Sequence, residues 1–142
     1  MRIIISGGGT GGHIYPGVAI GKKILEKMPD AKILFVGSKN GLEKKLVPRE
    51  GFEGLNKKFT IKKIGSFFKV FKGYFQSLNI IKEFKPDIVV GTGGYVCGPV
   101  VLAASMKNIP TLIHEQNAFP GMTNKMLSRF VSKIAINFKE SE

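Results

Sequence analysis

The chain has 142 residues, with 22 Lys and Arg against 10 Asp and Glu, for a formal charge of +12, and a single cysteine. That length is one domain, able to bury roughly 68% of its unfolded surface around a single core, so neither a disulfide nor a metal is needed for stability. Cys97 alone excludes an internal disulfide, glycine interrupts the apolar stretch after Arg2 too early for a signal peptide, and Val100 to Met106 falls far short of the roughly 20 residues of a membrane span, so a cytosolic chain not integral to the membrane is expected.

Arg2 to Ser6 reads as a buried strand, followed by the turn Gly7-Gly8-Gly9-Thr10-Gly11-Gly12-His13 and a helix over Pro16 to Met28. Pro16 suits a first helical position, where its missing N–H costs nothing, and Gly17 and Gly21 lie one turn apart to allow close approach to a sheet. Lys32 to Gly37 predicts the second strand and Leu42 to Glu50 the second helix. A further strand is expected within Leu55 to Ile64, and a long helix over Phe67 to Phe84. Then come a strand at Asp87 to Gly91, a helix at Pro99 to Lys107, a strand at Pro110 to His114, a helix at Met122 to Val131 and a strand at Lys133 to Asn137. Pro86, Pro110 and Pro120 punctuate the boundaries. Short, nearly all-apolar strands alternating with helices predict an α/β fold with a doubly wound, mostly parallel, Rossmann-like sheet.

In such sheets ligands bind beyond the carboxyl ends of the strands. Three segments there stand out: the first glycine turn, a second one reading Gly91-Thr92-Gly93-Gly94-Tyr95-Val96-Cys97-Gly98-Pro99, and the polar run His114-Glu115-Gln116-Asn117. Glycine turns leave backbone N–H groups bare beside a helix's positive end, which suits a phosphate or diphosphate. Gly7, Gly9 and Gly12 also match the dinucleotide spacing G-x-G-x-x-G. Phe35 to Lys39 supplies no acid for a ribose, although Lys39 keeps open an NADP-binding alternative through a 2'-phosphate. No Gly-Lys-Ser/Thr follows the glycines, which excludes a P-loop.

Taken together and in this order, Gly-Gly-Thr-Gly-Gly-His with Tyr15-Pro16-Gly17, then Gly-Gly-Tyr-Val-Cys-Gly-Pro, then His-Glu-Gln-Asn resemble glycosyltransferase family 28, of GT-B architecture. The resemblance runs from residue 2 to about residue 138. It implies an N-terminal acceptor- and membrane-binding domain over residues 1–142, with a separate donor-binding domain beyond Glu142. The implied reaction is an inverting, cofactor-free and metal-free transfer of N-acetylglucosamine from UDP-N-acetylglucosamine to a lipid-linked muramoylpentapeptide diphosphate in peptidoglycan synthesis. By similarity Thr10, Gly11, Gly12 and Asn117 would touch the donor. Gly8, Gly9, Gly93, Gly94, Tyr95 and Gln116 would meet the acceptor diphosphate. The family usually has serine where Cys97 stands, which puts a side-chain hydrogen bond there in question.

Such a transfer needs a base for the acceptor hydroxyl. His13, at a helix N-terminus whose dipole would lower its pKa, is the first candidate; Glu115 is the second, with Tyr95 positioning. The plain alternatives are an imidazole that braces the turn and a carboxylate satisfied by backbone N–H groups. Metal ligation by His13, His114 and Cys97 has no recognisable spacing.

From Gly54 to Lys82 there is no Asp or Glu, while seven lysines fall in that stretch. On a helix, Phe67, Val70, Phe71, Tyr74, Phe75, Leu78 and Ile81 form one apolar face, opposite Lys69, Lys72, Gln76 and Asn79, with Phe68, Ile80 and Phe84 toward its edges. Much of that face is expected in the core. Phe67, Phe68, Lys69, Phe71, Lys72 and Phe75 are expected to form a patch for an anionic membrane, making the protein peripheral on the cytoplasmic face. A nucleic-acid partner would explain the charge but leaves the glycine turns idle. A non-catalytic half that anchors a separate donor-binding chain is the remaining alternative.

Overall fold

The computed structural model describes residues 1–38, 41–52 and 67–141. Strands β1 (Arg2–Gly7), β2 (Lys32–Val36), β3 (Ile88–Gly93), β4 (Thr111–Glu115) and β5 (Lys133–Ile136) form one sheet in the order β2-β1-β3-β4-β5, with every pair parallel. Around it lie α1 (Gly11–Lys27), α2 (Glu43–Arg49), α3 (Phe67–Phe84), α4 (Cys97–Met106) and α5 (Met122–Leu127). This is the doubly wound α/β arrangement expected from the alternation of elements. The strand expected within 55–64 lies outside the described residues. No helix among the described residues is long and apolar enough to cross a membrane.

Alternate residues of β1 explain its composition. Ile3 and Ile5 pack with Ile14 and Val18 of α1, Val47 of α2 and the aromatic pair Phe35 and Phe52. Ile4 faces the other way, into a cluster with Val89, Val100, Val101, Ala104, Ile80 and Ile113. A strand covered on both faces has no polar side, so Ile3, Ile4 and Ile5 are all at most 1% exposed.

Three element expectations need correction. α1 begins at Gly11, so Pro16 stands in the sixth helical position and removes the donor that would serve the Gly12 carbonyl. α5 ends at Leu127 rather than Val131, because Phe130 N–H turns back to the Leu127 carbonyl and Ser132 N–H is taken by Thr111, at its carbonyl and hydroxyl, to start β5. α3 has the expected ends, but its face is rotated. Gly73, Ser77, Ile80 and Ile81 are buried, while Phe71 and Phe75 are about 60% exposed. Small residues at 73 and 77 are what let this stripe lie inward, with the Ser77 hydroxyl donating to the Gly73 carbonyl at 2.7 Å.

Chain direction through the sheet places the ligand crevice. From β1 the chain moves out to β2, then returns to lay β3 on the opposite side of β1, so the turns after β1 and β3 diverge at a switch point. The pairing register slips between Ser6 and Gly7, where β1 meets the end of β3. Here the two turns touch backbone to backbone. Gly8 N–H donates to the Gly93 carbonyl at 3.3 Å, and a Cβ on Gly94 would strike the Gly8 carbonyl oxygen. Gly94 also holds φ +84, a left-handed conformation that costs any other residue.

Substituting Gly94→Ala combines that backbone cost with the collision, and should lower stability by about 3 kcal/mol or more. Gly98→Ala is the control: its Cβ would have Thr123 Cγ2 as nearest neighbour at 3.6 Å, an ordinary contact inside α4. Urea unfolding should find this second variant unchanged or up to about 1 kcal/mol more stable.

Candidate functional site

The first glycine turn ends in an open helix terminus. Thr10 is the extended residue before α1, and its carbonyl accepts from the N–H groups of His13 and Ile14 at 3.1 and 3.2 Å. Its hydroxyl caps no backbone group and lies 3.2 Å from His13 Nδ1 instead. The N–H groups of Gly11 and Gly12 are therefore left without a partner among the described residues, at the positive end of a 17-residue helix. Gly9, Thr10 and Gly12 are exposed, so an anion can approach.

His13 is held from several sides. Its carbonyl accepts the Thr92 hydroxyl at 2.6 Å, which ties α1 to the end of β3. Its ring lies flat enough against Gly93 that a Cβ there would come within 2.7 Å of Cδ2. Gly8 and Gly93, both buried, bond to each other and form the floor of the crevice, so the Gly8 N–H is not available to a ligand. Gly9, Gly94 and Tyr95 reach the surface; the Tyr95 ring stands over Gly9, where a Cβ would lie 3.4 Å from Cε1.

The end of β4 forms a tighter knot. Glu115 is 3% exposed and its carboxylate receives four hydrogen bonds. Oε1 accepts from Asn117 N–H at 3.0 Å and Asn117 Nδ2 at 2.9 Å; Oε2 accepts from Gly121 N–H at 2.9 Å and Asn124 Nδ2 at 3.0 Å. Burial alone would raise its pKa, but the four donors together outweigh burial and hold it below the usual carboxylate value. All four acceptor positions of this carboxylate are filled within the turn, and their combined effect is to fix Asn117. Asn117 itself is exposed, while Gln116 is half-buried with an Oε1 that has no partner among the described residues. His114 lies on the strand, its Nε2 3.0 Å from Asn137 Oδ1 and away from His13's turn.

Cys97 is fully buried beneath the second glycine turn. Burial pushes its thiol up to about 12, against backbone hydrogen bonds from Gly93 and Thr92 that pull it down. The sulfur thus keeps a backbone-bracing position, and as a neutral thiol it is no nucleophile. On α3, Phe71, Lys72 and Phe75 are exposed in one neighbourhood; the side chains of Phe67, Phe68 and Lys69 lie outside the described residues.

One buried acid escaped sequence reasoning. Glu43, the first residue of α2, is 6% exposed and folds its carboxylate back to the end of β2, where Oε1 accepts from Ser38 N–H and from Ser38 Oγ at 2.8 Å. Inspection of Phe35 to Lys39 could not find it, because the residue arrives from the next helix. The available signal was the glycines at 8, 37 and 41, whose missing side chains make its space.

Residues 3–136 match the model of the glycosyltransferase family 28 N-terminal domain. A protein of Thermoanaerobacter sp. (strain X514), named UDP-N-acetylglucosamine--N-acetylmuramyl-(pentapeptide) pyrophosphoryl-undecaprenol N-acetylglucosamine transferase, is 56% identical over 99% of this chain. The Acetivibrio thermocellus protein of the same name is 54% identical over the whole chain. The chain spans about two fifths of the length of either relative, 41% and 40%. Among solved structures, Acinetobacter baumannii MurG superposes with a TM-score of 0.88 at 31% identity, covering 99% of this chain and 43% of that one. A UDP-GlcNAc 2-epimerase from Methanocaldococcus jannaschii, at 20% identity and a TM-score of 0.67 over 94% of this chain and 38% of its own, shares the fold. With the family model matched over nearly its whole length, this chain belongs to glycosyltransferase family 28, as an N-terminal domain of that family.

Proposed function

We propose that this chain is the acceptor-binding half of an inverting N-acetylglucosaminyltransferase that moves N-acetylglucosamine from UDP-N-acetylglucosamine to undecaprenyl-diphospho-muramoylpentapeptide. The observation that carries the reading is the open N-terminus of α1 facing a second glycine turn, in a chain more than half identical throughout to relatives named for that transfer. Gly9, Gly94 and Tyr95 cradle the acceptor diphosphate from backbone N–H groups, joined by Gly11 and Gly12, which the resemblance assigns to the donor but whose open N–H groups at the α1 terminus suit this diphosphate, while Gly8 and Gly93 support them from below. Thr10 and Asn117 meet the donor, which a second domain outside these residues holds on its other side.

In the reaction the acceptor hydroxyl attacks the anomeric carbon as the bond to UDP breaks, and the hydroxyl proton goes to His13. In the tautomer that donates Nδ1–H to Thr10 Oγ1, Nε2 carries the lone pair that takes it. Glu115 serves as the brace that fixes Asn117, since its carboxylate already holds four donors. The helix terminus supplies positive partial charge, which favours anionic groups of the substrates.

Phe71 and Phe75, exposed beside Lys72 on a chain of charge +12, dock α3 on the anionic cytoplasmic surface where a lipid-linked acceptor resides. The protein is thereby a peripheral membrane enzyme.

Joined to the C-terminal portion of the Thermoanaerobacter relative, the chain should transfer labelled N-acetylglucosamine, and alone it should not. In that two-domain protein His13→Ala should lower turnover by more than ~100-fold. A near-normal rate would remove His13 from proton transfer. Sedimentation with vesicles should show at least ~10-fold tighter binding to anionic than to neutral lipid, reduced by Phe71→Ser with Phe75→Ser; equal binding to both lipids refutes the membrane face. Glu115→Gln would turn an amide N–H₂ against Gly121 N–H or Asn117 N–H and should cost about 2 kcal/mol or more at pH 7. Because folding depresses the Glu115 pKa, its contribution is present above the ordinary carboxylate value and is lost as pH falls through the folded one. Unfolding midpoints of wild type and this variant should therefore converge as pH falls below the ordinary carboxylate range.

A further inference from the structure

Glu43 has no part in the mechanism above, yet it is buried against the turn that the mechanism uses. A Cβ on Gly8 would lie 2.5 Å from Glu43 Oε1 and 3.3 Å from Oε2, and side chains on Gly37 or Gly41 would collide with the same carboxylate. Three glycines, one after β1 and two in the β2–α2 connection, therefore close around one acid. Its Oε1 is satisfied by Ser38, whereas its Oε2 is buried with no hydrogen-bond partner among the described residues. A bare buried carboxylate oxygen is costly and needs a reason.

Its neighbours supply one. Gly8 is the residue whose N–H reaches Gly93 and whose carbonyl lies under Gly94, so whatever seats Gly8 also sets the spacing of the two glycine turns. Glu43 occupies the space a Gly8 side chain would take, while the Gly8 N–H and carbonyl meet Gly93 and Gly94. At the same time its charge sits beside a cradle for an anion, where it must oppose anion binding. The helix terminus and the carboxylate thus act on the same ligand with opposite signs.

We propose that Glu43 is a positioning residue of the diphosphate cradle: it seats the first glycine turn through Gly8, and its charge weakens the hold of the cradle on bare anions. The second half rests on the diphosphate reading given above; the first does not. A site that must release a diphosphate product or discriminate against free phosphate gains from such a counter-charge, because only ligands with further contacts overcome it.

Two variants separate shape from charge. Glu43→Gln retains the bulk and the Oε1 acceptor for Ser38 but removes the charge; Glu43→Ala removes both. Amide hydrogen exchange at Gly8, referred to Ile4 in the strand that precedes it, should rise by about 10-fold or more in Glu43→Ala and stay near wild type in Glu43→Gln. Parallel changes at Gly8 and Ile4, or an unchanged Gly8 in Glu43→Ala, would overturn the seating role. Titrated with inorganic diphosphate, Glu43→Gln should bind about 3- to 10-fold more tightly than wild type and Glu43→Ala more weakly. Weaker binding by Glu43→Gln overturns the counter-charge. If none of the three proteins binds diphosphate, the diphosphate reading and the counter-charge fall together, while the exchange at Gly8 still decides the seating role.

Discussion

The close backbone contact between Gly8 and the Gly93-Gly94 step is the constraint on which the rest of this domain depends. It forms where the sheet changes winding direction, where turns from two neighbouring parallel strands share space without side chains. Everything assigned to ligand binding is built outward from it. α1 follows the first turn, α4 the second, and the Thr92 hydroxyl bonded to the His13 carbonyl joins the two. Because the contact is between main chains, its geometry is set by backbone conformation, and it resists adjustment by side-chain rotamers.

A rigid floor leaves the polar work to a few groups at the rim. The open N–H groups of Gly11 and Gly12 are placed to receive an anion, His13 faces Thr10, and Asn117 is fixed by a saturated Glu115. In the last of these a buried polar group holds an exposed one in place. Glu43 extends that arrangement to the first turn itself. Such a design suits the transfer proposed above, in which this half has to orient the acceptor and supply one proton acceptor.

Much of this was legible in the residues. Strands buried on both faces must be almost wholly apolar, so Ile3 to Ile5 and Ile88 to Val90 announced themselves, and the order of the glycine turns and the His-Glu-Gln-Asn run carried the family resemblance that the family model bears out. The failures have physical causes. Pro16 suits the first helical position that proline prefers, whereas the helix begins at Gly11, after the extended Thr10, and accommodates the proline in its second turn. Hydrophobicity ranks Gly73 and Ser77 below phenylalanine on α3, but close helix packing selects them for size, and Phe71 and Phe75 turn outward while Tyr74 and Phe84 pack against the core. Glu43 was hidden because its environment is assembled from residues 8, 37 and 41, a proximity that no local window contains.

The central claim is that the two glycine turns and the α1 terminus form one diphosphate cradle. It is tested most directly by titrating the ¹⁵N-labelled chain with geranyl diphosphate and following its backbone amides. The account predicts that Gly9, Gly11, Gly12, Gly94 and Tyr95 shift together along a single binding curve, with Gly8 moving little. Shifts confined to lysines and phenylalanines of α3, or to one turn without the other, would contradict it.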